Sequence, residues 1–207
     1  MRKIVYTILF CLVSMAVFSQ TLKNDRRLNT GSSVDYLTND EKEVIQWLNY
    51  IRNFPREFSE KVLTPYVEKK ELKKTKYIKS LYKDLGNTES MALLRPSPGL
   101  TKAAKYHAND MGKKGNYGHT STNGWNMVER IENFVEWEVT VGENCAYGLY
   151  SPLDIVLGLL IDEGISNLGH RKNILNPNYK VVGIAIKPHK TYGTNCVQDF
   201  AGGVKGE

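Results

Sequence analysis

Histidine and cysteine are scarce in this sequence, whose 207 residues include four histidines and three cysteines. No HExxH zinc helix, GxSxG nucleophile elbow or GxGxxG phosphate loop occurs, which argues against the enzyme classes built on those motifs. The longest apolar run, near the N-terminus, is shorter than the ~20 residues that a membrane-spanning helix needs. Any metal or catalytic site must therefore be assembled from separate segments.

The N-terminal residues are typical of a secretory signal peptide. Two basic residues precede a short apolar run at 4–13, and Ser19 supplies the small residue before a cleavage point. This pattern predicts a signal peptide over residues 1–19 and an exported chain, either secreted or periplasmic. No transmembrane segment is expected in the mature chain.

Positive charge is concentrated in one segment. The net charge of +6 becomes +4 when the two basic residues of the signal peptide are removed. Six lysines fall between Lys69 and Lys79. Such a run is usually a solvated helix face, although it can also contact an anionic surface. No basic motif or aromatic platform accompanies it, so no nucleic-acid partner is expected.

Length and patterning predict one domain of ordinary size. Residues 20–36 are polar and unpatterned, and we interpret them as an N-terminal leader. The single domain is predicted to span 37–204. The lysine-rich stretch at about 64–90 is predicted to be an inserted helix within it.

Capping residues predict several helices, and alternating apolar residues predict strands late in the chain. Thr38 and Glu41 form a capping box, and Ser97 and Ser151 each stand before a proline at a helix start. The predicted strands lie in 139–148, 180–188 and 194–202. This order favours an α+β fold, specifically a three-layer α-β-α sandwich with a central antiparallel sheet.

Two cysteines, Cys145 and Cys196, remain after the signal peptide is removed. In an exported chain, such a pair predicts one disulfide. Closing a loop of about 50 residues would contribute roughly 4 kcal/mol in the chain-entropy model. The alternative is a free nucleophilic thiol.

The four histidines divide into two classes. His107 lies on the apolar stripe of its helix and is predicted to be a satisfied core residue, and His189 is predicted to be exposed in a turn between strands. His119 and His170 each follow a glycine and belong to no apolar stripe. They are candidate metal ligands or acid–base groups, with ordinary packing as the alternative.

Two glutamates are candidates for the same site. Glu143 lies in VGENCAYG at a predicted strand, and Glu163 lies at the end of a predicted helix. A carboxylate that accepts an imidazole N–H orients the ring and selects its tautomer. Two histidines and two glutamates can form a metal cup, or an acid–base cluster with Glu143 and Glu163 as catalytic groups. The alternative is that both glutamates only cap loops.

The order of the motifs resembles that of a known family. The motifs are LTKAAKYHANDM, GHTSTNG, GENCAYG, GHRKNIL, VVGIAI and CVQDFAGG. From about Leu37 to Gly203 the chain resembles the CAP or SCP-like family of cysteine-rich secretory, antigen-5 and pathogenesis-related proteins, especially its bacterial branch. The resemblance implies an α-β-α sandwich, in agreement with the pattern of elements.

The resemblance also implies a cleft with two histidines and two acids. Matched by motif, these are His119, Glu143 and His170, with Glu163 as the second acid and the neighbouring Asp162 as its substitute. In relatives the two histidines can bind a divalent ion, commonly zinc, and the resemblance therefore implies one such ion here.

Two functions from different classes fit these expectations. The first is a secreted binding module whose cleft holds a small apolar ligand, a peptide or a cell-surface partner. The alternative is a metal-assisted, peptidase-like hydrolase in which a glutamate deprotonates zinc-bound water. Catalytic zinc usually has three protein ligands, and beyond the two histidines no third is secured. The binding module is therefore the first hypothesis, and enzymatic activity stays open.

Overall fold

The computed structural model describes residues 27–207, so the predicted signal peptide lies outside the described residues. The helices are α1 (Asn39–Asn53), α2 (Pro55–Phe58), α3 (Thr64–Lys69), α4 (Lys76–Asn87), α5 (Pro98–Lys114), α6 (Met127–Glu132), α7 (Pro152–Ile161) and α8 (Gly169–Ile174). The strands are β1 (Arg95–Pro96), β2 (Trp137–Tyr147), β3 (Val181–His189) and β4 (Gly193–Val204). None of these helices combines the length and apolarity that crossing a bilayer requires.

One four-stranded sheet, in the order β1-β3-β4-β2, forms the centre of the fold. Strands β2, β4 and β3 pair antiparallel, as the sequence predicts. The two-residue strand β1 adds to β3 in parallel, which the sequence analysis did not include. The α+β class is confirmed.

Helices pack on both faces of this sheet. On one face, Ala104 and Ala108 of α5 contact Ala185 and Val197 of the sheet. Helix α5 approaches closely because Gly183 has no side chain; a Cβ there would collide with the backbone of α5 at its first turn. On the other face, apolar residues of β3 and β4 join α1 and α7 in the main core.

The helix ends follow the predicted capping chemistry. Thr38 and Glu41 exchange side-chain-to-backbone hydrogen bonds at the start of α1, forming the capping box. Ser97 caps α5, whose C-cap, Gly115, adopts the left-handed conformation with φ 74°. Glycine reaches that conformation without the steric cost that a side chain adds.

The lysine-rich segment and the described part of the leader, residues 27–36, both pack against the domain. A π-helical turn, Ser59–Leu63, joins α2 to α3. Helix α4 buries Ile78, Leu81 and Leu85 in the main core. Leu28, in the described part of the leader, is buried in the same core.

The predicted disulfide is wrong, because Cys145 and Cys196 are free and buried. In the β2–β4 register, Cys145 lies opposite Val197, and Cys196 lies opposite Ala146. Successive residues of a strand point to opposite faces of the sheet. Cys145 therefore packs beneath α5, whereas Cys196 joins the core on the other face.

Candidate functional site

Glu143 lies near the middle of β2 with a side chain that is only 1% exposed. Its two carboxylate oxygens have separate partners. The Nδ1–H of His119 donates to Oε1 at 2.8 Å, and the Arg130 guanidinium donates to Oε2. Burial by itself raises the pKa of Glu143, but His119 and Arg130 together bring it below its ordinary value. Glu143 is therefore a buried carboxylate fully engaged by two donors.

Arg130 fixes the loop that carries His119. This fully buried residue of α6 donates from Nη1 to the carbonyl oxygen of His119 and to Oγ of Ser121, both at 3.1 Å. The same guanidinium contacts Glu143 on β2. The Arg130 side chain thus fixes the backbone of His119 and the carboxylate of Glu143 relative to each other.

The imidazole of His119 is half-exposed, and its pKa is raised from 6.5, chiefly by the hydrogen bond to Glu143. The Glu143 carboxylate can only accept, so the neutral His119 ring carries its proton on Nδ1. The lone pair of its Nε2 is therefore available. No described residue contacts Nε2 within hydrogen-bonding distance. A carboxylate-oriented imidazole with a free Nε2 is the usual form of a histidine metal ligand.

We expect His119 to titrate above pH 6.5 in the metal-free protein, and the Glu143→Gln substitution to lower that pKa. A raised folded-state pKa means that the His119–Glu143 ion pair stabilises the protein fully below pH 6.5. This contribution is lost as pH rises through the raised value. Histidine-selective NMR titration of wild type and variant measures both values. Equal pKa values in the two proteins would contradict the assigned contact.

His170 repeats this arrangement on the other side of β2. Its Nδ1–H donates to Oδ1 of Asp162 at 2.7 Å. The second oxygen of Asp162 accepts the backbone N–H groups of His170 and Arg171 at 3.0 and 3.3 Å. Asp162 is buried at the end of α7, and the His170 side chain is 21% exposed. Nε2 of His170 also has no partner among the described residues.

The two histidines flank one short stretch of β2. His119 contacts the side chain of Glu143, and the carbonyl oxygen of His170 accepts a hydrogen bond from Asn144 at 3.2 Å. Asn173 of α8 donates to the carbonyl oxygen of Glu143 and to Oδ1 of Asn144. Both histidines are therefore tied to adjacent residues of β2, His119 through its imidazole and His170 through its backbone carbonyl group.

Glu163 does not take the position that the sequence analysis assigned to it. Its carboxylate is exposed and accepts a hydrogen bond from Oγ1 of Thr75 at 2.7 Å. Asp162, the named substitute, is the acid that contacts His170. Of the four predicted cleft residues, His119, Glu143 and His170 lie around β2, and Glu163 lies against the lysine-rich segment.

A different trio brings its potential ligand atoms within 4.8 Å of one another among residues 27–207, namely His107, Glu143 and Cys145. Both ring nitrogens of His107 are occupied at 2.9 Å, by Ser121 and Gly118. Burial raises the pKa of the Cys145 thiol far above its ordinary value, which disfavours the thiolate that binds metals. This trio is a packed polar core and does not fit a metal ion.

Sequence reasoning missed two further components of the site. Arg130 lies in the short MVERIENF helix, where a cation on the buried face was the available signal. Asp199 lies opposite Glu143 on β4 and is fully buried. Burial and the charge of Glu143 raise the pKa of Asp199, which favours its neutral form. An acid within the apolar strand CVQDFAGG was its signal.

Beside the GHRKNIL segment the surface has an open depression of about 530 Å³. It lies between the end of α4 and α8, and its apolar lining comes from Leu168, Leu175 and Pro177. Polar lining residues include Asn87 and Lys172. The depression is lined by residues that flank His170 in the chain.

Comparison with known proteins places this chain among bacterial relatives. A model of the cysteine-rich secretory protein family, CAP, matches residues 45–200. The uncharacterized protein YkwD of Bacillus subtilis (strain 168) is 32% identical over 103 residues. That match covers 50% of this chain and 37% of YkwD, so the chain aligns with less than half of its relative.

Two solved structures also resemble the fold. An extracellular protein containing a SCP domain from Bacillus anthracis str. Ames has 20% identity and a TM-score of 0.47, covering 80% of this chain and 44% of that one. An outer surface protein from Borrelia burgdorferi has 18% identity and a TM-score of 0.45, covering 63% of this chain and 95% of that one.

Proposed function

We propose that this chain, which belongs to the CAP, or cysteine-rich secretory protein, family over residues 45–200, is an exported binding module. In this proposal His119 and His170 form a divalent-metal site, for which zinc is the first candidate ion. One observation carries the proposal. Each imidazole is oriented through Nδ1 by a carboxylate that is itself buried, Glu143 or Asp162, and each leaves Nε2 without a partner among the described residues.

The chain's own residues define how an ion would be held. His119 and His170 would supply neutral nitrogen ligands, while Glu143 and Asp162 keep the two rings oriented through Nδ1. Arg130 and the backbone N–H groups at the start of α8 hold the two carboxylates in turn. With two protein ligands, a bound zinc ion would keep open positions for a donor atom from a ligand or partner.

The site favours binding over hydrolysis. A metal-assisted hydrolase needs a carboxylate that is free to accept a proton from water. Both oxygens of Glu143 already accept hydrogen bonds, from His119 and Arg130. Glu163, the other candidate, hydrogen-bonds Thr75 instead. Neither glutamate is placed as a general base beside the two imidazoles.

Export and the kind of ligand complete the proposal. The N-terminal pattern of basic residues, short apolar run and small residue supports secretion or transfer to the periplasm. The depression next to the GHRKNIL segment is lined by three apolar residues, Leu168, Leu175 and Pro177, together with polar residues such as Asn87 and Lys172. That lining suits a small apolar ligand, a peptide or a segment of a cell-surface partner.

Calorimetric zinc titration of the mature protein tests the proposal. We expect one ion per chain in the wild type and loss of that binding in His119→Ala and in His170→Ala. Asp162→Asn keeps both ligands but weakens ring orientation, so it is expected to reduce the affinity about 10- to 100-fold.

Two neighbouring exposed residues provide matched controls. Thr120 follows His119 in the chain, and Lys172 lies two residues after His170. Thr120→Ala and Lys172→Ala leave both imidazoles in place, so both variants should bind zinc as the wild type does. Binding that survives both histidine substitutions, or no binding by folded wild type near neutral pH, would refute the metal site.

A further inference from the structure

Seven exposed lysines lie within fifteen consecutive residues of the lysine-rich segment, 69–83, and we term them the lysine face. They are Lys69, Lys70, Lys73, Lys74, Lys76, Lys79 and Lys83. The last three recur at helical spacing on α4, opposite the buried Ile78 and Leu81. The lysine face thus comprises the end of α3, the loop that follows it and the solvent side of the amphipathic helix α4.

The charge of the protein is divided unevenly by this surface. Residues 69–83 contain seven lysines and one glutamate, a net charge of +6. The chain after residue 19 carries +4, so the rest of the mature chain has a net charge of −2. Charge asymmetry of this size indicates an electrostatic partner for one surface rather than general solubility.

Most of this charge is not neutralised within residues 27–207. Lys70 forms an ion pair with Asp154 at 3.4 Å. Lys76 lies 5.1 Å from the centre of the Tyr77 ring. The other five lysines of the face form no ion pair with a described residue. Their positive potential therefore extends into solvent over about a Debye length, ~8 Å at physiological salt.

The lysine face is rigidly attached to the domain. Arg171 of α8 is buried and donates to Oγ of Ser80, Oδ2 of Asp84 and the carbonyl oxygen of Tyr77 on α4. It also donates to the carbonyl oxygens of Leu160 and Ile161 at the end of α7. A guanidinium bonded on both sides leaves little freedom between the two elements. The three lysines of α4 are consequently carried by a helix that is held in place against the domain.

We propose that the lysine face docks the protein on an anionic lipid surface. Its cations are all lysines, which act as point charges, whereas recognition of a single phosphate favours the bidentate fork of arginine. Its two tyrosines, Tyr77 and Tyr82, are partly buried, so it offers no platform on which bases would stack. A diffuse array of point charges matches the spread headgroup charge of an anionic bilayer. This inference is independent of the zinc site.

Vesicle co-sedimentation of the mature protein tests the proposal. The probes are vesicles of phosphatidylcholine alone and vesicles with about 30% phosphatidylglycerol. We expect binding to the anionic vesicles only, weakening as salt is raised. The triple variant Lys76→Gln/Lys79→Gln/Lys83→Gln should bind about 100-fold more weakly, because each lysine near such a surface contributes about fivefold.

A second triple variant controls for net charge. Lys113→Gln/Lys114→Gln/Lys190→Gln removes the same three charges from the end of α5 and the β3–β4 turn, and it should bind within about threefold of wild type. Equal losses in the two triples would overturn the proposal. So would equal binding to neutral vesicles, or binding of soluble polyphosphate without any binding to vesicles.

Discussion

Replacing Glu143 with alanine is expected to lower the free energy of unfolding by about 3–5 kcal/mol, because a buried arginine then loses its carboxylate partner. Arg130 is fully buried, and Glu143 is the one carboxylate among the described residues that forms an ion pair with it. The substitution also removes the acceptor of His119. Loop 116–126 and β2 lose their common attachment point.

Urea denaturation followed by circular dichroism measures this effect. Glu143→Gln has the same shape and still offers an acceptor to Arg130, so its cost is expected to be smaller, about 1–3 kcal/mol. Glu138→Ala removes an exposed carboxylate from the same strand and should change stability by less than about 0.5 kcal/mol. If Glu143→Ala and Glu138→Ala had similar effects, the buried Arg130–Glu143 pair would not be structural.

The second large effect is expected at Arg52, for which Arg52→Met should cost about 3–5 kcal/mol. Arg52 is fully buried in α1 and donates to the carbonyl oxygens of Ala92, Ile174, Asn176 and Tyr179, at 2.8 to 3.2 Å. Methionine replaces the unbranched apolar part of the side chain but lacks the guanidinium and donates nothing. Several buried carbonyl groups would lose their partner, each at a cost of about 1–3 kcal/mol before relaxation.

No carboxylate balances the charge of Arg52 within the described part of the chain, and burial lowers its pKa to about 10. Arg52 therefore stabilises the fold through its hydrogen bonds to carbonyl groups rather than through an ion pair. Arg52→Lys should not restore stability, because one ammonium cannot reach four carbonyl groups. Arg56→Met, at an exposed position of α2 with one hydrogen bond to Gly86, is the control and should cost about 1 kcal/mol or less. A stability of Arg52→Met within about 1 kcal/mol of wild type would contradict this role.

The sequence predicts the helix starts and the three long strands correctly. Thr38, Ser97 and Ser151 all cap helices through side-chain hydrogen bonds, because capping depends on residues only three positions apart. The three long strands follow their alternating apolar residues for the same local reason. The parallel strand β1 has only two residues and carries no such signal.

The disulfide was wrong because it depends on register rather than on composition. Whether Cys145 and Cys196 share a face is decided by how β2 pairs with β4, about fifty residues apart in the chain. A shift of one residue would move one of them to the other face. Neither the amino-acid composition nor the export of the chain indicates which face of the sheet each cysteine occupies.

The acid beside His170 was misplaced by one residue for a conformational reason. Asp162 ends α7 in the left-handed conformation with φ 59°, which turns its carboxylate back towards the start of α8. Aspartate tolerates this conformation better than most residues. The resemblance places the second acid on the helix ahead of His170, which left Glu163 and Asp162 as neighbouring candidates; the side chain of Glu163 contacts Thr75 instead.

For the two other histidines, burial could be predicted where it depends on neighbouring residues in the chain but not where it depends on a distant segment. His107 is a buried core residue, as its place on an apolar helix stripe predicts. The prediction that His189 is exposed is wrong, since it is buried and its Nε2–H donates to the carbonyl oxygen of Asn116 at 2.7 Å. The covering segment lies more than seventy residues earlier in the chain, so the turn sequence could not reveal it.

Nitrogen NMR of the histidine rings during zinc titration tests the central claim most directly, because it reports each imidazole separately. We expect His119 and His170 to be Nδ1–H tautomers in the metal-free protein at a pH above the raised His119 pKa. Their two Nε2 signals should shift together and stop shifting at one zinc per chain, with those of His107 and His189 unchanged. Zinc-dependent shifts at His107, or unchanged Nε2 signals of His119 and His170 at saturating zinc, would contradict the paired metal site.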